Sequence, residues 1–218
     1  MSLRIEDLEH RYEDRGPATL HVPRYALEDG EQACLVGGSG SGKTTFLNLV
    51  AGILAPRRGV VRHGETDIAA LGEAARDRFR ARRIGYVFQT FNLLQGLSAL
   101  ENLLLPLGFA GVRGEEARTR ALETLGRVGV GALADSRPAR MSVGEQQRVA
   151  IARALVNGPA LVLADEPTAN LDEENAERAL DLLRGSVAEA GASLLLVTHT
   201  RSVRDRFDRV ETMAEISA

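Results

Sequence analysis

The sequence of 218 residues has little of what forms cross-links and aromatic clusters: one cysteine, no tryptophan and 4% aromatic residues. A single cysteine forms no intrachain disulfide, and no export signal stands at the N-terminus, so the sequence predicts a reducing, cytoplasmic environment. Cys34 lies within an apolar run, residues 33–36. This position predicts a small buried core residue rather than a reactive thiol.

Long apolar runs and an excess of positive charge are also missing. No run reaches the roughly 18 residues that a membrane-spanning helix needs, so if the protein acts at a membrane, another chain must span it. The net charge of −3 gives no overall positive field for nucleic acid. With 44% hydrophobic and 26% charged residues, the composition is globular. The length fits one domain covering residues 1–218.

Lysine is almost absent, because Lys43 is the single lysine among 27 lysine and arginine residues. It stands in Gly37-Gly38-Ser39-Gly40-Ser41-Gly42-Lys43-Thr44, which fits the phosphate-binding pattern G-x-x-x-x-G-K-[ST]. Glycines let the backbone fold around phosphate, and a following helix start attracts the anion. A compact ammonium fits between phosphate oxygens where a planar guanidinium does not. The alternative, a flexible Gly/Ser loop, leaves the complete pattern unexplained.

The hydrophobic pattern predicts an α/β fold, because short apolar runs alternate with helical periodicities. The predicted strands are residues 3–8, 19–27, 32–36, 59–62, 84–88, 161–164 and 194–197, with turns at Gly16-Pro17 and Asp29-Gly30. The predicted helices are residues 43–51, 73–82, 100–106, 115–128, 144–156 and 173–189.

Two acidic residues, Asp165 and Glu166, directly follow the apolar run 161–164. Ligands of open α/β sheets bind beyond the carboxyl ends of the strands, so both acids are expected to face the phosphate loop. Asp165 suits the coordination shell of Mg²⁺. Glu166 suits a general base that polarises the attacking water. Alone, the pair could be two solvated acids; together with the Lys43 loop it predicts nucleotide hydrolysis.

Two further segments resemble the ABC (ATP-binding cassette) family. Met141-Ser142-Val143-Gly144-Glu145 is similar to the family signature, commonly Leu-Ser-Gly-Gly-Gln, and residues 165–172 are similar to the hydrolytic strand and its D-loop. The resemblance covers essentially the whole chain. It implies the ABC ATPase fold: a P-loop NTPase with a mostly parallel sheet core, an antiparallel β subdomain and a helical signature subdomain at about residues 90–157.

The resemblance also implies a site for ATP and Mg²⁺. The implied catalytic residues are Glu166, His199 as the switch histidine, Gln89 as the Q-loop glutamine, and Lys43. The implied metal ligands are Thr44, Gln89 and Asp165. The implied nucleotide contacts are Tyr12, which would stack on adenine, and Gly37, Gly38, Ser39, Gly40, Ser41, Gly42, Lys43, Thr44, Thr45, Ser142, Gly144, Glu145 and Asp172.

In the ABC family the signature serine completes the nucleotide site of a second copy. The resemblance therefore implies a homodimer in which Lys43 of one subunit and Ser142 of the other hold each ATP. Val143 departs from the usual glycine. Because valine tolerates positive φ poorly, we expect a negative φ at this position.

The segment that follows Gln89, residues 90–102, is similar to the MacB/LolD/FtsE branch of ABC transporter ATP-binding subunits. In ABC systems this region receives a helix from an integral-membrane permease subunit, a separate chain. Phe91, Leu93 and Leu94 therefore either contact that partner, the favoured interpretation, or cover the chain's own core. The arginine-rich stretch 76–83 is interpreted as a solvated amphipathic helix rather than a lipid-binding one.

The implied function is an ATPase subunit that dimerises around two ATP and drives a membrane partner of the lipoprotein-release or export type. It would lie in the cytoplasm, peripheral on the inner face of the cell membrane. One alternative is an FtsE-like cell-division ATPase that signals through its membrane partner. Others are a non-transport ABC ATPase, which the absence of a basic face disfavours, and an inactive scaffold, which the intact Lys43, Glu166 and His199 disfavour. The transported substrate and the direction of transport are not encoded in these motifs.

Overall fold

The computed structural model describes residues 2–12 and 20–217. In chain order the strands are β1 (Leu3–His10), β2 (Leu20–Leu27), β3 (Gln32–Val36), β4 (Arg58–His63), β5 (Thr66–Asp67), β6 (Ile84–Val87), β7 (Leu161–Asp165), β8 (Ser193–Thr198) and β9 (Arg209–Thr212). The α-helices are α1 (Lys43–Val50), α2 (Glu73–Arg83), α3 (Ala99–Ala110), α4 (Gly114–Arg127), α5 (Val143–Leu155), α6 (Glu173–Glu189), α7 (Arg201–Arg204) and α8 (Met213–Ile216).

A five-stranded sheet in the order β6-β7-β8-β3-β9 forms the centre of the molecule, and all four neighbouring pairs are parallel. Every residue of β7 and β8 is buried. Strands covered on both faces are apolar throughout, which is why these two were recognisable as short continuous runs. The predicted α/β class with a mostly parallel core is therefore confirmed.

A second, antiparallel sheet has the order β2-β1-β4-β5. The pairing of β1 with β4 shifts register between Glu6 and Glu9, where Asp7 has φ +49°. Gly59 lies opposite this bulge with φ +98°, and a Cβ there would collide with the backbone of Asp7 and Leu8. The close approach of the two strands therefore requires glycine at position 59.

Side chains of the parallel sheet alternate between two hydrophobic cores. Leu161 and Leu163 of β7 pack with the antiparallel sheet and α1. Val162 and Ala164 point the other way, into a core built largely from α3, α4, α5 and α6. Cys34 belongs to this second core, as predicted, and burial raises the pKa of its thiol to about 12. The period-2 alternation of strands thus joins the two halves of the molecule through one sheet.

Several elements differ from the prediction. α3 continues through Pro106 to Ala110, although the predicted helix ended at residue 106. Strands β5 and β9 and the short helices α7 and α8 were not predicted, because β5 has only two residues and β9 has no buried residue. The predicted turn at Gly16-Pro17 and the first residue of predicted strand 19–27 lie outside the described residues. Within the described part of the chain, no helix is both long and apolar enough to cross a membrane.

Candidate active site

The predicted phosphate loop and both predicted acids emerge at one edge of the parallel sheet. Val36 at the end of β3 pairs with Thr198 of β8, and Asp165 at the end of β7 pairs with Val197. The segments that follow these strands, beginning at Gly37, Glu166 and His199, therefore start side by side. Carboxyl ends of parallel strands are the usual binding edge of such sheets.

The loop between β3 and α1 has the backbone that its glycines allow. Gly40 has φ +76° and Gly42 has φ +93°, both in the region that favours glycine. A Cβ on Gly37 would collide with the Ser41 hydroxyl, whose oxygen is buried and has no hydrogen-bond partner in residues 2–12 and 20–217. Gly42 N-caps α1 without a side-chain cap. The first-turn amides of α1 are therefore available to an anion, and the loop fits a phosphate group.

Lys43 is only 8% exposed and turns back over the loop. Its Nζ donates to the carbonyls of Gly37 at 2.7 Å and Gly38 at 3.0 Å. The same Nζ lies 3.8 Å from Oε1 of Glu166. The ammonium thus lies between the phosphate loop and the predicted general base, where it can compensate negative charge on either side.

Glu166 directly follows β7 with φ +44°, an unusual backbone for a residue other than glycine. Such a conformation costs on the order of 1–3 kcal/mol and is typical of functional sites. The carboxylate is held on two sides: Oε2 accepts from the Thr198 hydroxyl at 2.8 Å, and Oε1 lies 2.7 Å from Nδ1 of His199. Glu166 and His199, which the sequence analysis selected separately, therefore form one hydrogen-bonded pair.

Asp165 is buried beside Thr44, the residue that follows Lys43. Burial raises the pKa of its carboxyl, while a hydrogen bond from the Thr44 side chain lowers it. A hydroxyl and a carboxylate side by side suit Mg²⁺, which prefers oxygen ligands and commonly takes only one or two carboxylates, with phosphate oxygens and water completing its shell. No group of three or more His, Cys, Asp or Glu side chains suited to a metal occurs among the described residues.

Gln89 and Tyr12 lie at the margins of this cluster. β6 ends at Val87, one residue before the end of predicted strand 84–88, so Gln89 occupies an exposed turn rather than directly following the strand. Its backbone carbonyl accepts from Nδ2 of Asn170 at 2.7 Å. The Tyr12 hydroxyl lies 2.9 Å from Oγ1 of Thr45, and the residue is 63% exposed. The tyrosine is thus tied to the start of α1 while much of its ring faces solvent.

The signature residues surround the start of α5. Ser142 N-caps this helix in a capping box: its Oγ accepts from the amide of Glu145, and Oε2 of Glu145 accepts from the amide of Ser142 at 2.7 Å. Hydrogen bonds from the amide and the hydroxyl of Ser142 lower the pKa of the Glu145 carboxyl. Asp172 similarly N-caps α6. Val143 is the first residue of α5 and has no positive φ, which confirms the predicted backbone at this substitution.

The signature and the D-loop meet where α5 and α6 begin. A Cβ on Gly144 would lie 3.5 Å from Oδ1 of Asn175, whose amide donates to Asp172. Ser142 and Asp172 are both exposed. These residues form a surface of their own, joined to the phosphate loop by no hydrogen bond among the described residues.

A groove of about 620 Å³ runs between the parallel sheet and the helical part of the chain. Its apolar wall includes Leu94, Leu105 and Phe109, which are 51%, 37% and 73% exposed. Phe91 and Leu93 do not take part, because both are buried in the core that also contains α3 and α5. The interpretation that they contact a partner is therefore wrong; of the three predicted contacts only Leu94 is accessible.

Three residues near the site were not selected from the sequence. Thr198 donates to Glu166, Asn170 holds the carbonyl of Gln89, and Arg153 donates to the carbonyls of Phe91 and Asn92. Thr198 immediately precedes the predicted switch histidine, so its position was a usable signal. Asn170 and Arg153 act on backbone carbonyls of a distant turn, and no local pattern predicts such contacts.

Comparisons with known proteins agree with this geometry. Residues 20–169 match the ABC transporter family. The lipoprotein-releasing system ATP-binding protein LolD of Chromohalobacter salexigens is 44% identical, over 95% of this chain and 89% of its own length. The protein of the same name from Gluconobacter oxydans is 42% identical, over 98% of this chain and 94% of its own length.

Solved structures give the same result. The dimeric structure of MJ0796, described as a bacterial ABC transporter cassette, is 36% identical with a TM-score of 0.86, covering 96% of this chain and 93% of that one. A dimeric post-hydrolysis state of MJ0796 bound to ADP and Pi is 35% identical with a TM-score of 0.84. The chain therefore belongs to the ABC transporter family, as an ATP-binding, ATP-hydrolysing subunit of the MacB/LolD/FtsE-like branch.

Proposed function

We propose that residues 1–218 form a single nucleotide-binding domain, with a helical subdomain at about residues 90–157, that hydrolyses Mg-ATP between two copies and drives an integral-membrane subunit. The observation that carries this proposal is the meeting of Lys43, Asp165, Glu166 and His199 at one edge of the parallel sheet. Each contributes a different chemical property: an ammonium, a metal-binding carboxylate, a base and an imidazole that hydrogen-bonds to that base.

In this proposal the loop from Gly37 to Gly42 and the first turn of α1 bind the phosphates. The ammonium of Lys43 exchanges its loop carbonyls for phosphate oxygens. Tyr12 offers its exposed ring to adenine, and its hydroxyl remains near Thr45. Thr44, Asp165 and the side chain of Gln89 would hold Mg²⁺, which would neutralise phosphate charge when bound.

The hydrolytic step belongs to Glu166. Its carboxylate accepts a proton from the attacking water, and Thr198 and His199 fix the orientation of its two oxygens. His199 is exposed at its outer edge, where it can contact a terminal phosphate without moving from Glu166. The hydrogen bonds therefore position the base before the nucleotide arrives.

The second half of each site comes from another copy of this chain. Ser142 and Asp172 are exposed at the starts of α5 and α6, and Gly144 and Glu145 beside them are half-buried. Positive helix ends that face solvent suit a phosphate supplied from outside. Both solved MJ0796 structures are described as dimeric, which supports a homodimer closed around two ATP.

The membrane partner is a separate permease subunit that docks in the groove lined by Leu94, Leu105 and Phe109. The groove is apolar and adjoins the turn that carries Gln89, so a docked segment would be sensitive to the nucleotide site. Relatives named for the lipoprotein-releasing system favour that class of transport over export of other substrates or cell-division signalling. This arrangement places the chain in the cytoplasm, on the inner face of the cell membrane.

The test is steady-state hydrolysis by Glu166→Gln, with Glu189→Gln on the exposed face of α6 as the matched control. Removing the base should lower kcat by about 10²- to 10⁴-fold, while binding of a fluorescent ATP analogue stays within about twofold of wild type. The control should match wild type in both measurements. Undiminished hydrolysis by Glu166→Gln would remove Glu166 from the mechanism.

A further inference from the structure

The turn that carries Gln89 contains two consecutive residues with left-handed backbone conformations. Phe91 has φ +60° and Asn92 has φ +49°. Asparagine adopts this conformation occasionally, but for the bulky Phe91 it is unfavourable and must be stabilised by its surroundings. Phe91 is buried in the core, whereas Asn92 is exposed, with its side chain accepting from the Thr90 hydroxyl at 2.8 Å.

Arg153 of α5 contacts both left-handed residues at once. Its Nη2 donates to the carbonyl of Phe91 at 2.6 Å, and its Nη1 donates to the carbonyl of Asn92. The guanidinium also lies 5.8 Å from the centroid of the Phe88 ring. A planar guanidinium with a fixed fork of donors can bind two neighbouring carbonyls together, which a lysine ammonium cannot reproduce.

The placement of Arg153 connects three features of the site. Its helix is N-capped by the signature serine, Ser142, and the Arg153 side chain lines the groove. The turn that it holds begins at Gln89, whose carbonyl is bound from the other side by Asn170 of the D-loop. Residues 89–92 are therefore fixed at three carbonyls by side chains from two different segments.

We propose that Arg153 is a positioning residue: it holds the strained turn 89–92 in the one conformation that presents the Gln89 side chain to the metal and the attacking water. The proposal rests on the metal-binding role proposed above for Gln89. In this role α5 connects three features of the molecule: Ser142 at its N-cap, the turn 89–92 and the groove. When the two hydrogen bonds from the Arg153 guanidinium are lost, the turn relaxes toward ordinary backbone angles. The Gln89 side chain then moves away from the metal and the attacking water.

The experiment measures kcat and the Mg²⁺ concentration for half-maximal hydrolysis in the purified full chain. Arg153→Lys keeps the positive charge but loses the fork of N–H donors. It should lower kcat about tenfold and raise the half-saturating Mg²⁺ concentration severalfold, because a small misplacement of the Gln89 side chain costs such factors. Binding of Mg²⁺-free ATP should be unchanged. Arg148→Lys is the matched control, because Arg148 lies on the same helix and donates to a different carbonyl, that of Val128 at 3.1 Å.

A second variant separates positioning from mere stability. Asn92→Gly lowers the cost of the left-handed conformation at an exposed residue, because glycine adopts positive φ more readily than asparagine. Introduced into Arg153→Lys, it should restore part of the lost kcat and Mg²⁺ dependence. If Arg153→Lys lowers only the melting temperature, or if its kcat and Mg²⁺ dependence match those of Arg148→Lys, the proposal is overturned.

Gln89→Ala distinguishes this proposal from the function on which it rests. Gln89→Ala should reproduce the altered Mg²⁺ dependence, and adding Arg153→Lys to it should have no further effect on kcat. If Gln89→Ala leaves the Mg²⁺ dependence unchanged, the metal role of Gln89 fails and the proposal with it. If Gln89→Ala acts as expected but Arg153→Lys does not, only the role of Arg153 fails.

Discussion

At the residue scale, the position of Glu166 depends on its neighbours in β8 rather than on its own strand. Its left-handed backbone is fixed by a hydrogen bond from its amide to the carbonyl of Val197 at 3.0 Å, and its side chain is fixed by Thr198 and His199. Hydrogen bonds to a charged group contribute more than neutral ones. The proposed general base is thus held by β8, the strand between β7 and β3, and by His199, which directly follows β8.

Replacement of Thr198 by valine tests this positioning. Thr198→Val removes the hydroxyl that donates to Glu166 and accepts from the amide of Thr200. We expect kcat for ATP hydrolysis to fall about tenfold, the equivalent of about 1.4 kcal/mol, with little change in ATP binding. Ser193→Ala is the control, since Ser193 is also a buried hydroxyl of β8 but binds Glu28 and Gly30 at the opposite strand end. Equal kcat in both variants would contradict the role of Thr198.

His63 makes a prediction about pH and stability. The residue is buried, its Nε2 donates to the carbonyl of Val50 at 2.9 Å, and burial lowers its pKa to about 4. Because the unfolded chain binds this proton below about pH 6.5, folding stability should decrease as the pH falls from about 6.5 to about 4, by up to about 3 kcal/mol for this group.

The measurement for His63 is urea unfolding at a series of pH values. Wild type is compared with His63→Gln, which keeps a donor for the Val50 carbonyl but does not titrate. The difference between the two curves isolates His63 from other groups. Parallel pH dependence of the two proteins would show that His63 is not the cause.

At the element scale, α3 and α5 both begin with a capping box, but only the cap of α5 has a proposed functional role. Ser98 caps α3 and Ser142 caps α5, each in a capping box with a glutamate three residues later. Replacing either serine by alanine should cost about 1 kcal/mol of stability. Only Ser142→Ala should also reduce ATP hydrolysis and ATP-dependent dimerisation. Urea unfolding and steady-state ATPase assays on both variants check the prediction, and equal activity of the two would contradict the signature role of Ser142.

Elements with strong local signals were predictable, and those fixed by distant contacts were not. Strand β3 and helix α6 were predicted with the bounds that the structure has, because an apolar run or a long periodic pattern defines each. The edge strand β9 was missed since half-exposed residues give no such run. Pro106 was taken as a helix end, but α3 continues because its packing against α4 and α5 outweighs a lost hydrogen bond.

The candidate site also has residues that were predictable from local motifs and residues that were not. The loop around Lys43, the acids after β7 and His199 carry motifs, and the sheet register places them together. Phe91 and Leu93 were assigned to a partner because their apolar character alone does not tell a core face from an exposed one. Arg153 could not be selected, since its partners are carbonyls about sixty residues away in the chain.

At the scale of the whole molecule, the site residues lie on two separate surfaces. Lys43, Asp165, Glu166 and His199 occupy the edge of the parallel sheet, while Ser142 and the signature lie at the start of α5. The account therefore requires two copies to complete one site. When two copies close around ATP, the charge of the nucleotide would be buried between the Lys43 loop of one copy and the positive end of α5 of the other. This burial is favourable only when both positive groups are present.

The most direct test of this central claim is the mass of Glu166→Gln in solution, measured by light scattering after gel filtration with and without saturating Mg-ATP. The account predicts a monomer without nucleotide and a dimer with it, since the variant binds ATP but hydrolyses it slowly. Adding Ser142→Ala to the same chain should weaken that dimer. A Glu166→Gln protein that binds ATP stoichiometrically and remains monomeric would contradict the shared site.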